Sequence, residues 1–214
     1  MSGIDDLMPK SDARWATATR RAQGVADLGL GSALKTYYTR YFPAGVIILV
    51  GTGTIFGILA FGGDPADWPS FLVFGCSLAV LGVATGGLVY NAKKIAPAAE
   101  PGRIDVLLSL EDEERKGIRR QILGKTPADP DQLVVSRAAA VQLRKNLATQ
   151  LIWIPVLPLI YIPQVLRGTG LVSWLMAAGT AIWLIGEVFT VRDFHRAGRF
   201  LARTAEPDVP DAAP

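Results

Sequence analysis

The sequence predicts an all-α polytopic integral membrane protein, with four transmembrane helices as two hairpins and a helical cytoplasmic segment between them. Three observations carry that reading. Uncharged stretches cover 41–63, 68–92, 146–166 and 168–186, the shortest of them 19 residues long. A bilayer-spanning helix needs about 20 mostly apolar residues, so each stretch can cross. One such stretch would suit a buried core helix, but four in two close pairs point to a membrane. Composition agrees: 50% of the residues are hydrophobic and 19% charged, with mean hydropathy +0.30. A soluble domain would carry about 25% charged residues. The third observation is where the basic residues lie, taken up after the elements.

Residues 1–42 read as a cytoplasmic N-terminal arm with an interfacial helix. The first part holds Asp5, Asp6, Lys10, Asp12, Arg14, Arg20 and Arg21 and no apolar run. No cleavable signal is therefore expected, and the first hydrophobic segment should act as both targeting signal and anchor. Ser11 and Asp12 can cap a helix running through Arg21. Leu34, Tyr37, Tyr38, Tyr41 and Phe42 then recur at near-helical spacing. Tyrosines before a span suit the headgroup level, where a ring with a polar tip is half wet.

The first hairpin occupies 43–92, with spans at about 44–62 and 70–91. Pro43 would sit in the first turn, where its missing N–H costs little. Span one carries Gly53 and Gly57; span two carries Gly75, Ala79, Gly82 and Gly86 along one face. Small residues in a stripe let two helix backbones approach, the main source of helix attraction in lipid. Span one, across the short loop 63–69, is the expected partner.

The cytoplasmic segment, 93–147, begins with a Pro/Ala linker and continues as two helices. Ser109 to Asp112 match a capping box in outline. The helix that follows is acidic from Glu111 to Glu114 and basic at Arg115, Lys116, Arg119 and Arg120, complementing its dipole. Gly124 is the expected C-cap, and Pro127 forbids continuation. A second helix is expected to start at Asp129–Pro130 and run through Arg144 and Lys145 into the third span. The stretch Leu108–Leu143, with its ERK..IRRQI.GK.P.DP..L...RA pattern, resembles uncharacterised four-helix membrane proteins of actinobacteria. It covers about a sixth of the chain. The resemblance implies a cytoplasmic-membrane location and carries over no activity, substrate or catalytic residue.

The second hairpin occupies 148–191. Its first span, about 148–166, contains Pro155, Pro158 and Pro163, each of which removes a backbone hydrogen bond and tends to kink the helix. Its second span, about 171–191, has Trp174 near its start and Glu187 near its end. The remainder, 192–214, is expected to be a cytoplasmic tail that is partly disordered.

Orientation follows from Lys and Arg. Of the 22, all but Arg167 lie in the N-terminal arm, the middle segment or the tail. The positive-inside bias then places both termini and the middle segment in the cytoplasm of a multi-pass cell-membrane protein.

The candidate sites are few. Arg115, Lys116, Arg119 and Arg120 are candidate contacts for a partner protein or for lipid headgroups. Eight acidic residues interleaved between Glu100 and Asp131 fit a protein docking surface as well as a lipid clamp. Glu187, within a span, is a candidate intramembrane polar site, although snorkelling towards the nearby boundary or pairing with Arg192 explains it at lower cost. Gly124-Lys125-Thr126 looks like the end of a phosphate-binding loop. That motif needs a glycine where Arg119 stands, and a helix opening where Pro127 closes one. Cys76 reads as a small packing residue, and His195 is a lone histidine without a second haem ligand or a nearby nucleophile.

No catalytic, cofactor-binding or metal-ligating set emerges, so no cofactor and no enzymatic activity are expected. The expected partners are the bilayer and a membrane-protein partner or a homo-oligomer. Nucleic acid is not expected, because positive-inside charge already accounts for the pI of 9.1. The leading expectation is a non-enzymatic accessory or scaffold subunit of a membrane complex; the alternative is a small oligomeric transporter or channel.

Overall fold

The computed structural model describes residues 8–100, 102, 104–168 and 170–205. The expected disorder at the end of the tail concerns residues from 206 onward and lies outside that set. The fold is all-α, with four helices among the described residues long and apolar enough to cross a membrane. Contacts divide it into an apolar unit, 29–98 with 146–192, and a charged unit, 1–28 with 99–145 and 193–214.

The apolar unit begins earlier than the hydropathy gap suggests. Helix α2 (Leu30–Thr36) passes through a π turn (Tyr37–Tyr41) into α3 (Phe42–Phe61) without a break. Pro43 therefore lies inside a long helix instead of opening one. Its ring crowds the Thr39 carbonyl and offers it no N–H, and the ladder widens into the π turn just before it. Gly62, at φ 64°, ends α3 in the left-handed conformation that glycine adopts freely.

A 3-10 turn (Pro65–Asp67) leads into α4 (Trp68–Tyr90) and a second π turn (Asn91–Ile95). The α3–α4 hairpin packs as the small residues predict. A Cβ on Gly53 would stand 2.7 Å from the Gly75 Cα, and one on Gly75 would stand 2.3 Å from the Val50 carbonyl oxygen. Ala79 is fully buried, and Gly82 abuts Leu49. Gly86, the last of the stripe, faces open space; its neighbour Gly87 meets Ile152 instead.

The third apolar segment is two helices, α6 (Leu133–Trp153) and α7 (Val156–Arg167), separated at Ile154–Pro155. Only one of the three prolines breaks the helix. Pro163 lies within α7, and α7 packs on α4. The last helix, α8 (Leu171–Arg203), runs well past the expected end of its span.

The charged unit is assembled from three separate pieces of chain. Helix α1 (Met8–Ala22) supplies Ala18 and Ala22, and α5 (Asp112–Ile122) supplies Ile118 and Ile122. The first part of α6 adds Val135 and Ala138 to Ala140, and the end of α8 adds Ala197 and Phe200. Two residues on each side, β1 (Ala26–Asp27) and β2 (Ala99–Glu100), pair antiparallel and tie the N-terminal piece to the middle one. Arg144 forms an ion pair with Asp27 and lies 4.7 Å from the centre of the Phe194 ring. Arg137 donates to the Thr204 carbonyl.

Candidate functional site

Helix α5 carries the four basic residues expected to contact a partner, and its start differs from expectation. Glu111, not Ser109, is the N-cap. Its side chain receives the Glu114 N–H, while the Glu114 carboxylate accepts from the Glu111 N–H at 2.7 Å. Ser109 instead ends a 3-10 turn (Val106–Ser109). An acidic pair can serve both halves of a capping box, because each carboxylate also meets the positive end of the helix dipole. The pair further docks α1: Arg14 lies 3.0 Å from Glu111, and the Trp15 indole donates to Glu114 at 3.1 Å.

The basic residues do not act alike. The Arg115 Nε donates to the Leu107 and Leu110 carbonyls at 3.0 and 2.8 Å, and its Nη2 donates to the Leu108 carbonyl at 3.2 Å. Those carbonyls belong to the 3-10 turn and its end; the Leu107 carbonyl also accepts the Leu110 N–H at 3.0 Å, and Arg115 adds a donor to all three. Lys116 bonds Glu113 at 2.8 Å on the surface. That bond holds the Glu113 carboxyl below its ordinary value and the Lys116 ammonium above its own. Arg119 and Arg120 are exposed and form no salt bridge among the described residues. The α5 face available to another molecule is therefore Lys116, Arg119 and Arg120.

The turn after α5 closes with a Schellman pair of bonds. Lys125 donates its N–H to the Arg120 carbonyl at 2.8 Å, and Gly124 donates to the Gln121 carbonyl at 3.0 Å. Gly124 takes φ 72° there, the left-handed value this C-cap requires. The Gly-Lys-Thr triplet thus terminates a helix, whereas a phosphate-binding loop opens one.

Within the apolar unit, Glu187 lies on α8. Its Oε2 is enclosed and has no hydrogen-bond partner among the described residues. The carboxylate stands within electrostatic reach of Tyr38. Tyr38 in turn donates its hydroxyl to the Leu151 carbonyl. Leu151 lies four residues before Pro155, so its carbonyl is the one that the proline cannot serve. Tyr38 is therefore a structural donor at the helix break, a role that interfacial spacing alone did not reveal. Tyr90 similarly donates to the Ala33 carbonyl at 2.7 Å, and Thr149 donates to Asn91 at 3.2 Å.

Cys76 is buried on α4. His195 is exposed, its ring edge-on to Phe194 at 5.9 Å. Among the described residues no group of three metal-ligating side chains occurs. No family model, curated protein or solved structure matches the chain.

Proposed function

We propose that this protein is a non-enzymatic accessory or scaffold subunit of a membrane complex, set in the cell membrane with both termini and the charged unit in the cytoplasm. The observation that carries the reading is the membrane stretch of α8. None of its most apolar 18-residue window is buried, against 28% for the helix at Ser70–Ile95. Helices in lipid associate through close packing and polar contacts. A helix that carries a carboxylate yet buries so little of itself is suited to a neighbour from another chain. The α5 face of Lys116, Arg119 and Arg120 supplies a second contact outside the bilayer.

The test is a tagged pull-down of the full chain from native membranes in mild detergent, with mass spectrometry of stoichiometric companions. A reproducible protein partner is expected, weakened by Arg119→Gln with Arg120→Gln or by Glu187→Gln. Arg115 is left intact, because removing it would disturb the 3-10 turn. Co-purification unchanged in both variants would overturn the assigned contacts, and the absence of any partner would overturn the reading.

One observation favours a transporter or channel as the second reading: the break at Ile154–Pro155 inside an apolar segment. Broken helices with exposed carbonyls line many ion and substrate paths. Liposome flux that falls with Glu187→Gln and with Pro155→Ala would support it; flux insensitive to both would remove it.

A further inference from the structure

The turn after α5 and the last turns of α8 line an open cavity of about 570 Å³ within the charged unit. Four cations line it: Lys125 from the turn, and Arg196, Arg199 and Arg203 from α8. The three arginines are spaced three and four residues apart, so they share one helix face. Ile122 and Phe200, both buried, form the apolar floor. Among the described residues no aspartate or glutamate lines the cavity. Arg196 approaches Asp193 only at 3.9 Å. Lys125, Arg199 and Arg203 form no salt bridge among the described residues.

Several other arginines of the unit have partners. Arg14, Arg137 and Arg144 each have a carboxylate or carbonyl partner, and Arg115 holds three carbonyls. Around the cavity, Lys125, Arg199 and Arg203 converge without an ion-pair partner among the described residues, and Arg196 has only Asp193. Arginine and lysine side chains are donors with no acceptor capacity. Lys125, Arg199 and Arg203 are exposed to water, so a ligand that displaces that water must bring both negative charge and several acceptor oxygens. Guanidinium forks match phosphate oxygens in pairs. A carboxylate has two oxygens and one charge, which one fork already meets. The Thr126 side chain also lines the wall and adds a neutral donor. The volume lies within the range of small-molecule sites, roughly 300–1,000 Å³, and exceeds what a lone phosphate fills.

We propose that this cavity binds a phosphate-bearing anion, with Arg199, Arg203 and Lys125 as its principal contacts and Arg196 as the fourth charge. The site is separate from the α5 face and from Glu187, and it stands whether or not the protein has a membrane partner. Phosphate of this kind reaches such a cavity from two sources: an anionic phospholipid headgroup or a soluble phosphate compound.

The experiment uses the full chain in nanodiscs of phosphatidylcholine. One arm titrates inorganic pyrophosphate by calorimetry. The other dopes phosphatidylglycerol into the disc and counts retained lipid by native mass spectrometry. Binding in one arm is expected, falling roughly tenfold for each guanidinium removed in Arg199→Gln with Arg203→Gln. Lys125→Gln, in the turn and outside α8, should also weaken binding. Arg20→Gln, at an exposed cation on α1, removes as much charge as Lys125→Gln and should leave binding intact. Pyrophosphate binding assigns the site to soluble compounds, and phosphatidylglycerol retention assigns it to headgroups. The proposal is overturned if neither probe binds, if the cavity variants bind as the wild type does, or if the control loses as much.

Discussion

Arg115 shows how a surface-looking residue can be internal in its chemistry. Its place on a charged helix marks it as solvent-facing, and only the 3-10 turn folded back beside α5 gives it three carbonyls. That turn has no periodicity from which sequence could foretell it. Lys116 and Glu113, one helical turn apart, behave as the spacing implies. Glu113 is depressed first by the hydrogen bond from Lys116 and then by its charge. The pair's contribution is therefore present above the ordinary carboxylate range and fades as pH falls through the lowered value. At the alkaline end it is lost as Lys116 gives up its proton, above the ordinary ammonium range. An NMR titration of the Glu113 carboxyl should give a midpoint lower in the wild type than in Lys116→Gln. Because both groups are exposed, about 1 M salt should erase most of the difference. Equal midpoints in the two proteins would show that the contact is not held in solution.

At the scale of elements, the broken third segment makes the sharpest prediction. Tyr38→Phe removes the hydroxyl that serves the Leu151 carbonyl and should destabilise the apolar unit by about 1–2 kcal/mol. Pro155→Ala restores a backbone N–H in reach of that carbonyl, so in its background the Tyr38→Phe penalty should shrink towards zero. A double-mutant cycle on reversible unfolding in detergent measures this coupling, and an equal penalty in both backgrounds would refute it. The hairpin offers a parallel comparison. Gly75→Leu forces a side chain against the Val50 backbone and should cost about 1–3 kcal/mol as the helices separate. Gly86→Leu points into open space and should cost much less, as the same unfolding assay would register. The four spans and the first hairpin were legible in the sequence because charge gaps and glycine spacing are direct responses to lipid. Helical spacing over 34–42 was legible too, but its continuity with the first span was not, since Arg40 and Lys35 interrupt the hydropathy signal without interrupting the helix. Pro155 could be named a kink in advance, but nothing separated it from Pro158 and Pro163 until the position of Tyr38 was known.

For the whole molecule, the division into an apolar and a charged unit follows the charge pattern, yet the composition of the charged unit does not. Its pairings join residue 26 to residue 100 and Arg137 to Thr204, contacts too distant in sequence for spacing to suggest. Orientation can be tested in a Cys76→Ala background with single cysteines at Asp67 and Asp131. An impermeant maleimide added to intact cells should label the first and reach the second only after permeabilisation; the reverse pattern would invert the topology. The three-piece assembly of the charged unit also fixes the order of events during synthesis. Its first helix and its middle leave the ribosome well before the end of α8, which supplies Ala197 and Phe200. Until then Ile118, Ile122 and Val135 lack part of their cover. The unit can complete its core only after the fourth apolar stretch has been made, so its folding waits on insertion of the entire chain. A nascent protein halted before α8 would present that unfinished core to chaperones and proteases.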